Sequence, residues 1–303
     1  MLSKFKYIVL HPTPCTDGTT LASARIARFL SSLLHCSLVD GRRLAPVPAL
    51  RDATLFIVNG PFAFCTFRDW LLDLVKIAAR VIWVQNDYNI DIPTAVPNNA
   101  RDFRLWTTCI FAKPKFACQY VPWNRLTYKP QPTKQWRIPG VVYYGAYRET
   151  RARAFIKYLG KEAPYPVHLS TTTRGRPAFQ HVCSNATTFY QPFSNVIAAL
   201  QEFQMSLYIE SDTSKNKVPC ESPANRFYEA VSAGVAIAFD VDSLGNLQID
   251  KVPVDDRWVV TSSRDVSVLL SHSAELATAQ SILRADYYSD LVRAVHAAIA
   301  GLG

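Results

Sequence analysis

Apolar residues come in short blocks separated by polar turns, and the blocks alternate between two rhythms. "KYIVLH" (6–11), "ATLFIVNG" (53–60) and "RVIWVQND" (80–87) are continuous apolar runs of strand length. Such runs are expected of strands buried on both faces of a sheet. Between them, "TTLASARIARFLSSLL" (19–34) places Leu21, Ile26, Phe29, Leu30 and Leu33 at helical spacing, and "FRDWLLDLVKIAA" (67–79) does the same. Strand, loop and helix in alternation predict a parallel sheet with helices on both faces.

The rhythm breaks at "YKPQPTKQWRIPG" (128–140), which holds three prolines. It then restarts with strands in "GVVYYGAY" (140–147), "YPVHLST" (165–171), "MSLYIES" (205–211) and "RWVVTSS" (257–263). Helices fall in "RETRARAFIKYL" (148–159) and "FSNVIAALQEF" (193–203), with Ala- and Leu-rich helices closing the chain. The expected class is therefore α/β with two doubly wound, Rossmann-like domains. The first is expected over residues 1–130, a linker over 131–140, and the second over 141–303 with final helices that pack back.

Within the second domain, "ESPANRFYEAVSAGVAIAFD" (221–240) sets Glu221 and Glu229 eight positions apart. Ser222 suits an N-cap, Pro223 the first helical position, and Gly234 the residue past the helix end. A helix from Pro223 to about Ala233 would put Asn225 and Glu229 on one face and Phe227, Ala230 and Val231 on another. The apolar "VAIAFD" then reads as a buried strand. A helix N-terminus is a natural anion site. Glu221 and Glu229 would flank such an anion as hydroxyl acceptors. The competing reading is an acid favoured by the helix dipole and a second, solvated glutamate.

Composition narrows the classes. The chain has 303 residues, is 49% apolar, and carries a formal charge of +9 with a pI near 9.2, which favours an anionic partner. No apolar run reaches the roughly 18 residues of a membrane span. Seven scattered cysteines form neither a disulfide framework nor a metal pattern, and suit reduced thiols in a cytoplasmic protein. Six histidines lack ligand spacing, so no metal is expected. The chain has no P-loop, no dinucleotide G-x-G-x-x-G after a strand and no G-x-S-x-G elbow.

In doubly wound sheets, ligands sit beyond the carboxyl ends of the strands. His11, Asn59, Gln85, Asn86 and Asp87 lie at such ends, and Asp17 and Gly18 close the turn-rich loop after the first strand. From Phe103 to Arg148 there is no acid. The segment carries Arg104, Lys113, Lys115, Arg125, Lys129, Lys134, Arg137 and Arg148, interleaved with Trp106, Phe111, Phe116, Tyr120, Trp123, Tyr128 and Trp136. That mixture suits a phosphate backbone and exposed bases, or equally a basic surface around an aromatic core.

The two-domain layout resembles the GT-B glycosyltransferases, whose domains face each other across a cleft, and implies that 1–130 would bind the acceptor and 141–303 the donor. The Glu221–Glu229 spacing resembles the E-x7-E motif of their retaining members. "VIWVQNDYNI" and "NRFYEAVSAG" together are similar to bacteriophage glycosyltransferases, some of which decorate hydroxymethylated pyrimidines in DNA. The resemblance implies a UDP-sugar donor, glucose foremost, and no further cofactor. Glu229 would bind the ribose and Glu221 the donor sugar, while Gly145, Ala224 and Asn225 would lie at the diphosphate; Arg226, beside that turn, would join them or simply pair with an acid. Arg148 and Lys217 would compensate the leaving charge. Ser222-Pro223-Ala224 replaces the Gly-Phe-Gly that usually follows the first acid.

For a DNA acceptor, His11, Asp17, Gly18, Asn59, Gln85 and Asn86 would line the acceptor side, and Lys113 and Lys115 would hold phosphates. Asp87 would orient the hydroxyl, or act as general base if the reaction inverts. Base flipping is expected. A phage-encoded enzyme would work in the host cytoplasm. The alternative acceptor is a cell-envelope glycan or a small molecule.

Overall fold

The computed structural model describes residues 6–11, 18–40, 50–58, 60–85, 92–110, 115–127, 135, 138–171, 175–189, 195–210, 220–221, 223–284 and 286–302. The chain divides into two compact units, 1–126 with 291–303, and 127–290.

Unit 1 contains β1 (Tyr7–His11), α1 (Gly18–Leu33), β2 (Ser37–Asp40), β3 (Thr54–Val58), α2 (Gly60–Ile77), β4 (Arg80–Gln85), α3 (Ala95–Asn99), β5 (Phe103–Thr107), β6 (Cys109–Ile110) and β7 (Ala117–Tyr120). Six strands form one sheet in the order β2-β1-β3-β4-β5-β7. All its pairs are parallel, for example Val9 opposite Phe56 and Ile57 opposite Trp83. Successive strand residues point to opposite faces, and both faces are covered. Ile8, Leu10, Leu55, Ile57, Val81 and Trp83 pack with Leu71, Leu74 and Val75 of α2. Val9, Phe56, Val58, Ile82 and Val84 pack with Ile26, Ala27 and Leu30 of α1. This is why the strands read as continuous apolar runs.

Helix α2 begins at Gly60, seven residues before its expected start, and Phe67 inside it is non-helical (φ −135°, ψ 41°). The apolar rhythm is read only after this kink.

Unit 2 contains β8 (Ile138–Tyr144), α4 (Ala152–Leu159), β9 (Val167–Ser170), α5 (Arg176–Val182), β10 (Thr187–Phe189), α6 (Val196–Leu200), β11 (Phe203–Tyr208), β12 (Cys220–Glu221), α7 (Asn225–Ala233), β13 (Ala236–Asp240), α8 (Leu244–Ile249), β14 (Val259–Val260), α9 (Ser263–Ser271) and α10 (Ser273–Ala279). Its sheet is also parallel, in the order β10-β9-β8-β11-β13-β14. Strand β8 begins inside the proline-rich stretch read as a linker.

Helix α11 (Tyr287–Ala300) runs from unit 2 into unit 1 at Leu291. There Leu291, Val295, Ala298 and Leu302 join the face formed by Val9 and Phe56. Two arginines hold its carboxyl end. Arg80 Nη1 donates to Leu302 O at 2.5 Å and Arg104 Nη1 to Gly301 O at 2.9 Å, while Asp102 receives both Nε groups. Cations at unsatisfied helix-terminal carbonyls are favourable. Among the described residues no helix is long and apolar enough to cross a membrane.

Candidate functional site

Each sheet reverses its winding direction once. In unit 1 the reversal lies between β1 and β3, and in unit 2 between β8 and β11. Ligands of doubly wound sheets bind beyond the strand ends at these points.

At the unit-2 reversal the polar end of one strand meets the loop of the next. Glu210 follows β11, and its carboxylate is buried, with 5% of the side chain exposed. Arg151, in the 3₁₀ turn leading into α4, donates from Nη2 to Glu210 Oε2 at 2.7 Å. Arg226, in the first turn of α7, brings Nε to 2.6 Å from Oε1. Its Nη1 also donates to the Tyr143 hydroxyl at 2.7 Å. Burial works most strongly against the Arg226 charge, but the Glu210 carboxylate together with Tyr143, Tyr208 and Tyr144 raises the pKa above the ordinary arginine value. Two guanidiniums on one carboxylate leave a single net positive charge, and their side chains stay 10% and 16% exposed.

Gly145 completes this corner. Its φ of +141° disfavours any side chain, and a Cβ there would stand 2.9 Å from Arg226 Nη1 and 3.3 Å from the Tyr143 hydroxyl. The loop after β8 is therefore pressed against the guanidinium.

Helix α7 starts at Asn225, two residues later than expected. The chain remains extended through Ala224 (φ −65°, ψ 159°), which holds the N-cap position and has no side chain able to cap. Ser222, expected to cap, lies outside the described residues. At the other end Gly234 is left-handed (φ 69°), and its N–H donates to Ala230 O and Val231 O at 3.1 Å, as a glycine-terminated helix requires. Phe227, Ala230 and Val231 are buried as expected, and β13 is buried throughout. Glu229 is fully buried, with an exposure of 0%. That excludes the solvated glutamate, because the helix face it occupies is covered. A fully buried glutamate is rare in proteins.

Of the expected donor residues, the structure brings Gly145 and Arg226 together and places Ala224 and Asn225 at the start of α7. Arg148 is exposed, and Arg151, three residues further on, is paired with Glu210. The backbone of Glu221 forms part of β12. Lys217 lies outside the described residues. Sequence reasoning missed Arg151, Glu210 and Tyr143. The available signal was Glu210 itself, an acid ending the otherwise apolar "MSLYIE".

In unit 1, His11 and Gln85 are buried at the carboxyl ends of β1 and β4. Thr107 and Thr108 extend this polar row at the end of β5. Gly18 opens α1, and Lys115 is exposed. Asp17, Asn59, Asn86, Asp87 and Lys113 lie outside the described residues.

The acid-free segment needs a correction. Trp106 and Trp123 stack at 6.4 Å and are buried in the unit-1 core, so neither can meet a base. Phe116 packs edge-on against Phe103 at 5.1 Å. Arg104 is engaged by Asp102 and the end of the chain. Trp106 is turned inward on β5, paired in parallel between β4 and β7, and Trp123 lies in the 3₁₀ turn that follows β7. Among the described residues, no three His, Cys, Asp or Glu side chains are grouped as a metal site.

No protein-family profile matches the sequence, and no curated protein matches it. Solved structures do resemble it. T4 phage β-glucosyltransferase is 10% identical with a TM-score of 0.65, over 95% of this chain and 98% of that one. Anabaena HepE in complex with UDP-glucose is 10% identical with a TM-score of 0.59, over 98% and 99%. An α-glucosyltransferase in complex with UDP and a 13-mer DNA containing a hydroxymethyluracil (HMU) base is 10% identical with a TM-score of 0.56, over 94% of each chain. The chain has the GT-B fold.

Proposed function

We propose that this GT-B chain transfers glucose from UDP-glucose to the hydroxymethyl group of a modified pyrimidine in DNA. The observation that carries the donor half is the Arg151–Glu210–Arg226 cluster at the winding reversal of unit 2. A departing diphosphate gains negative charge as the glycosidic bond breaks. Fixed, poorly solvated guanidiniums oppose that charge strongly and need no reorganisation. The Asn225 and Arg226 N–H groups, at the start of α7, add the dipole of that helix. Glu210 keeps the two arginines together before the donor arrives. The E-x7-E resemblance implies Glu229 at the ribose and Glu221 at the donor sugar; Glu229 is fully buried, so a ribose contact requires the groups covering it to shift. Arg148 and Lys217 remain proposed contributors.

The acceptor half rests on the polar strand ends of unit 1. His11, Gln85, Asn59, Asn86, Asp17 and Gly18 are proposed to line it, with Asp87 orienting the attacking hydroxyl. Lys113 and Lys115 are proposed to meet DNA phosphates. The exposed position of Lys115 supports this, and the burial of Trp106 and Trp123 leaves the phosphate contacts as the main DNA affinity. The E-x7-E spacing favours retention at the anomeric carbon. The similar folds include both a β- and an α-glucosyltransferase, so the anomer of the product tests that point directly. The T4 enzyme has been seen with UDP and Mn²⁺. A metal-free reaction here predicts that chelators leave the rate unchanged, and full loss with rescue by a divalent ion would refute it. We place the enzyme in phage-infected cells, in the host cytoplasm.

The test is a panel of nucleotide sugars offered with DNA containing 5-hydroxymethylcytosine or 5-hydroxymethyluracil, and with glycans and small alcohols. Digested nucleosides are then weighed. Hexose on the hydroxymethylated nucleoside supports the proposal. Transfer only to a glycan or alcohol supports an envelope-type acceptor instead.

A further inference from the structure

A second layer of polar groups stands behind the arginine cluster. Strand β11 ends at Tyr208, so the Glu210 backbone N–H has no sheet partner and donates to Ser243 Oγ at 2.8 Å. Ser243 sits in the turn after β13, the strand next to β11. Having accepted that N–H, its hydroxyl turns to Asp240 Oδ2 at 3.0 Å, with Glu210 O farther away at 3.4 Å. Asp240, 1% exposed, uses Oδ1 to accept the Tyr158 hydroxyl at 2.7 Å and Lys157 Nζ at 3.2 Å. Tyr158 and Lys157 lie on α4, the helix that begins just after Arg151. The contacts close a ring from Arg151 through Glu210, Ser243, Asp240 and Tyr158 back along α4 to Arg151.

The Tyr158 hydroxyl lies 2.7 Å from Asp240 Oδ1 and 2.8 Å from Val260 O, so its one proton is shared between them. Burial, reinforced by the Asp240 carboxylate, pushes the phenol far above its usual range, so it remains a proton donor throughout the working pH range. The Glu210 N–H can only donate, so Ser243 accepts from it. A helix anchored at both ends to one acid chain cannot slide relative to Glu210. Charge stabilisation of this kind loses most of its value when the donors can reorganise.

We propose that Asp240 and Ser243 are positioning residues. They hold Glu210 and α4 in register so that Arg151 and Arg226 present a preformed seat to a diphosphate that Asp240 and Ser243 do not touch. This rests on the donor-site reading above.

The experiment compares UDP with uridine, by calorimetry and NMR titration, in the full-length protein. Ser243→Ala is expected to weaken UDP about fivefold, the equivalent of one hydrogen bond of ~1 kcal/mol, and to leave uridine unchanged. Tyr158→Phe keeps the buried ring and is expected to show the same split. In an Arg151→Ala background, Ser243→Ala should weaken UDP no further, because the two act through one seat. Folded variants that bind UDP as wild type does, or that lose UDP and uridine equally, would overturn the inference while leaving the donor reading intact. Wild-type protein that binds no UDP would overturn the donor reading itself, and the inference with it.

Discussion

Replacing Glu210 by Gln sets stability against affinity in a way the geometry makes quantitative. The carboxylate lies 2.7 Å from Arg151 and 2.6 Å from Arg226. At an effective dielectric of about 20, each attraction is worth roughly 6 kcal/mol before desolvation is subtracted. Removing one partner of a buried ion pair typically costs about 3–5 kcal/mol net, because the remaining charges stay buried and uncompensated. In Glu210→Gln two guanidiniums face each other across a neutral amide, so a loss at the upper end is expected. For a unit of this size that lowers the melting temperature by roughly 10–20 °C. The same change raises the net charge of the cluster from +1 to +2. UDP brings the missing negative charge and should restore much of what was lost. A ligand at about 100 times its dissociation constant stabilises by ~2.7 kcal/mol. The variant should therefore show a larger UDP-induced melting shift than wild type, with uridine shifting both proteins equally. Thermal unfolding followed by circular dichroism, with and without each ligand, measures all of this. An unchanged melting temperature would refute the ion-pair account. A UDP shift no larger than that of wild type would show that the arginines are not the anion seat.

Other perturbations probe separate parts of the account. Gly145→Ala forces a side chain at φ +141° and displaces the Arg226 guanidinium. It should cost about 1–3 kcal/mol of stability and weaken UDP, and a variant with wild-type melting and affinity would contradict the close approach. Glu229→Gln preserves volume in a fully buried position. It should weaken UDP binding by about 1–3 kcal/mol in calorimetry, and unchanged affinity would remove Glu229 from the ribose site. Replacing Lys113 and Lys115 together by Ala should flatten the salt dependence of DNA affinity by about two units, equally for modified and unmodified duplex. An unaltered slope would place the DNA elsewhere. Asp265 closes the capping box of α9 and is held below its ordinary value by bonds from the Thr261 N–H and hydroxyl. A depressed folded pKa means that its stabilisation is present above the unfolded value near 4 and is lost as pH falls through the folded one. Asp265→Ala should thus lower the urea midpoint at neutral pH and flatten its acid limb, and parallel pH curves would show that the cap contributes nothing.

The parts of the fold governed by local rules were readable in the chain. Continuous apolar strands alternating with amphipathic helices specified two parallel sheets, and Gly234 marked the end of α7 because only a left-handed residue terminates a helix that way. Gly145 and Arg226 were both named from the sequence, yet their contact follows from the adjacency of β8 and β11. Strand order carries that information, and periodicity does not. The same adjacency sets Glu210 beside Arg151 and Arg226, which the linear chain does not show. Three residues apart in a turn, Arg148 and Arg151 look alike until the helix direction decides which of them faces Glu210. Composition misled in the 103–148 segment. Trp106 and Trp123 are interleaved with cations in the chain, but the pleat of β5 sends the first to the core and the 3₁₀ turn after β7 the second. Arg104 appeared free because its acid, Asp102, lies one residue outside the segment, and its carbonyl partner is nearly two hundred residues away at Gly301.

The central claim is that the winding reversal of unit 2 seats the diphosphate of a nucleotide sugar. A crystal structure of the wild-type protein with bound UDP-glucose tests it most directly. The account predicts the diphosphate at the start of α7, against the Gly145 loop, with its oxygens within hydrogen-bonding distance of Arg151 or Arg226 and the ribose toward Glu229. Clear density for UDP-glucose at any other place on the chain, with the Arg151–Glu210–Arg226 cluster untouched, would contradict it.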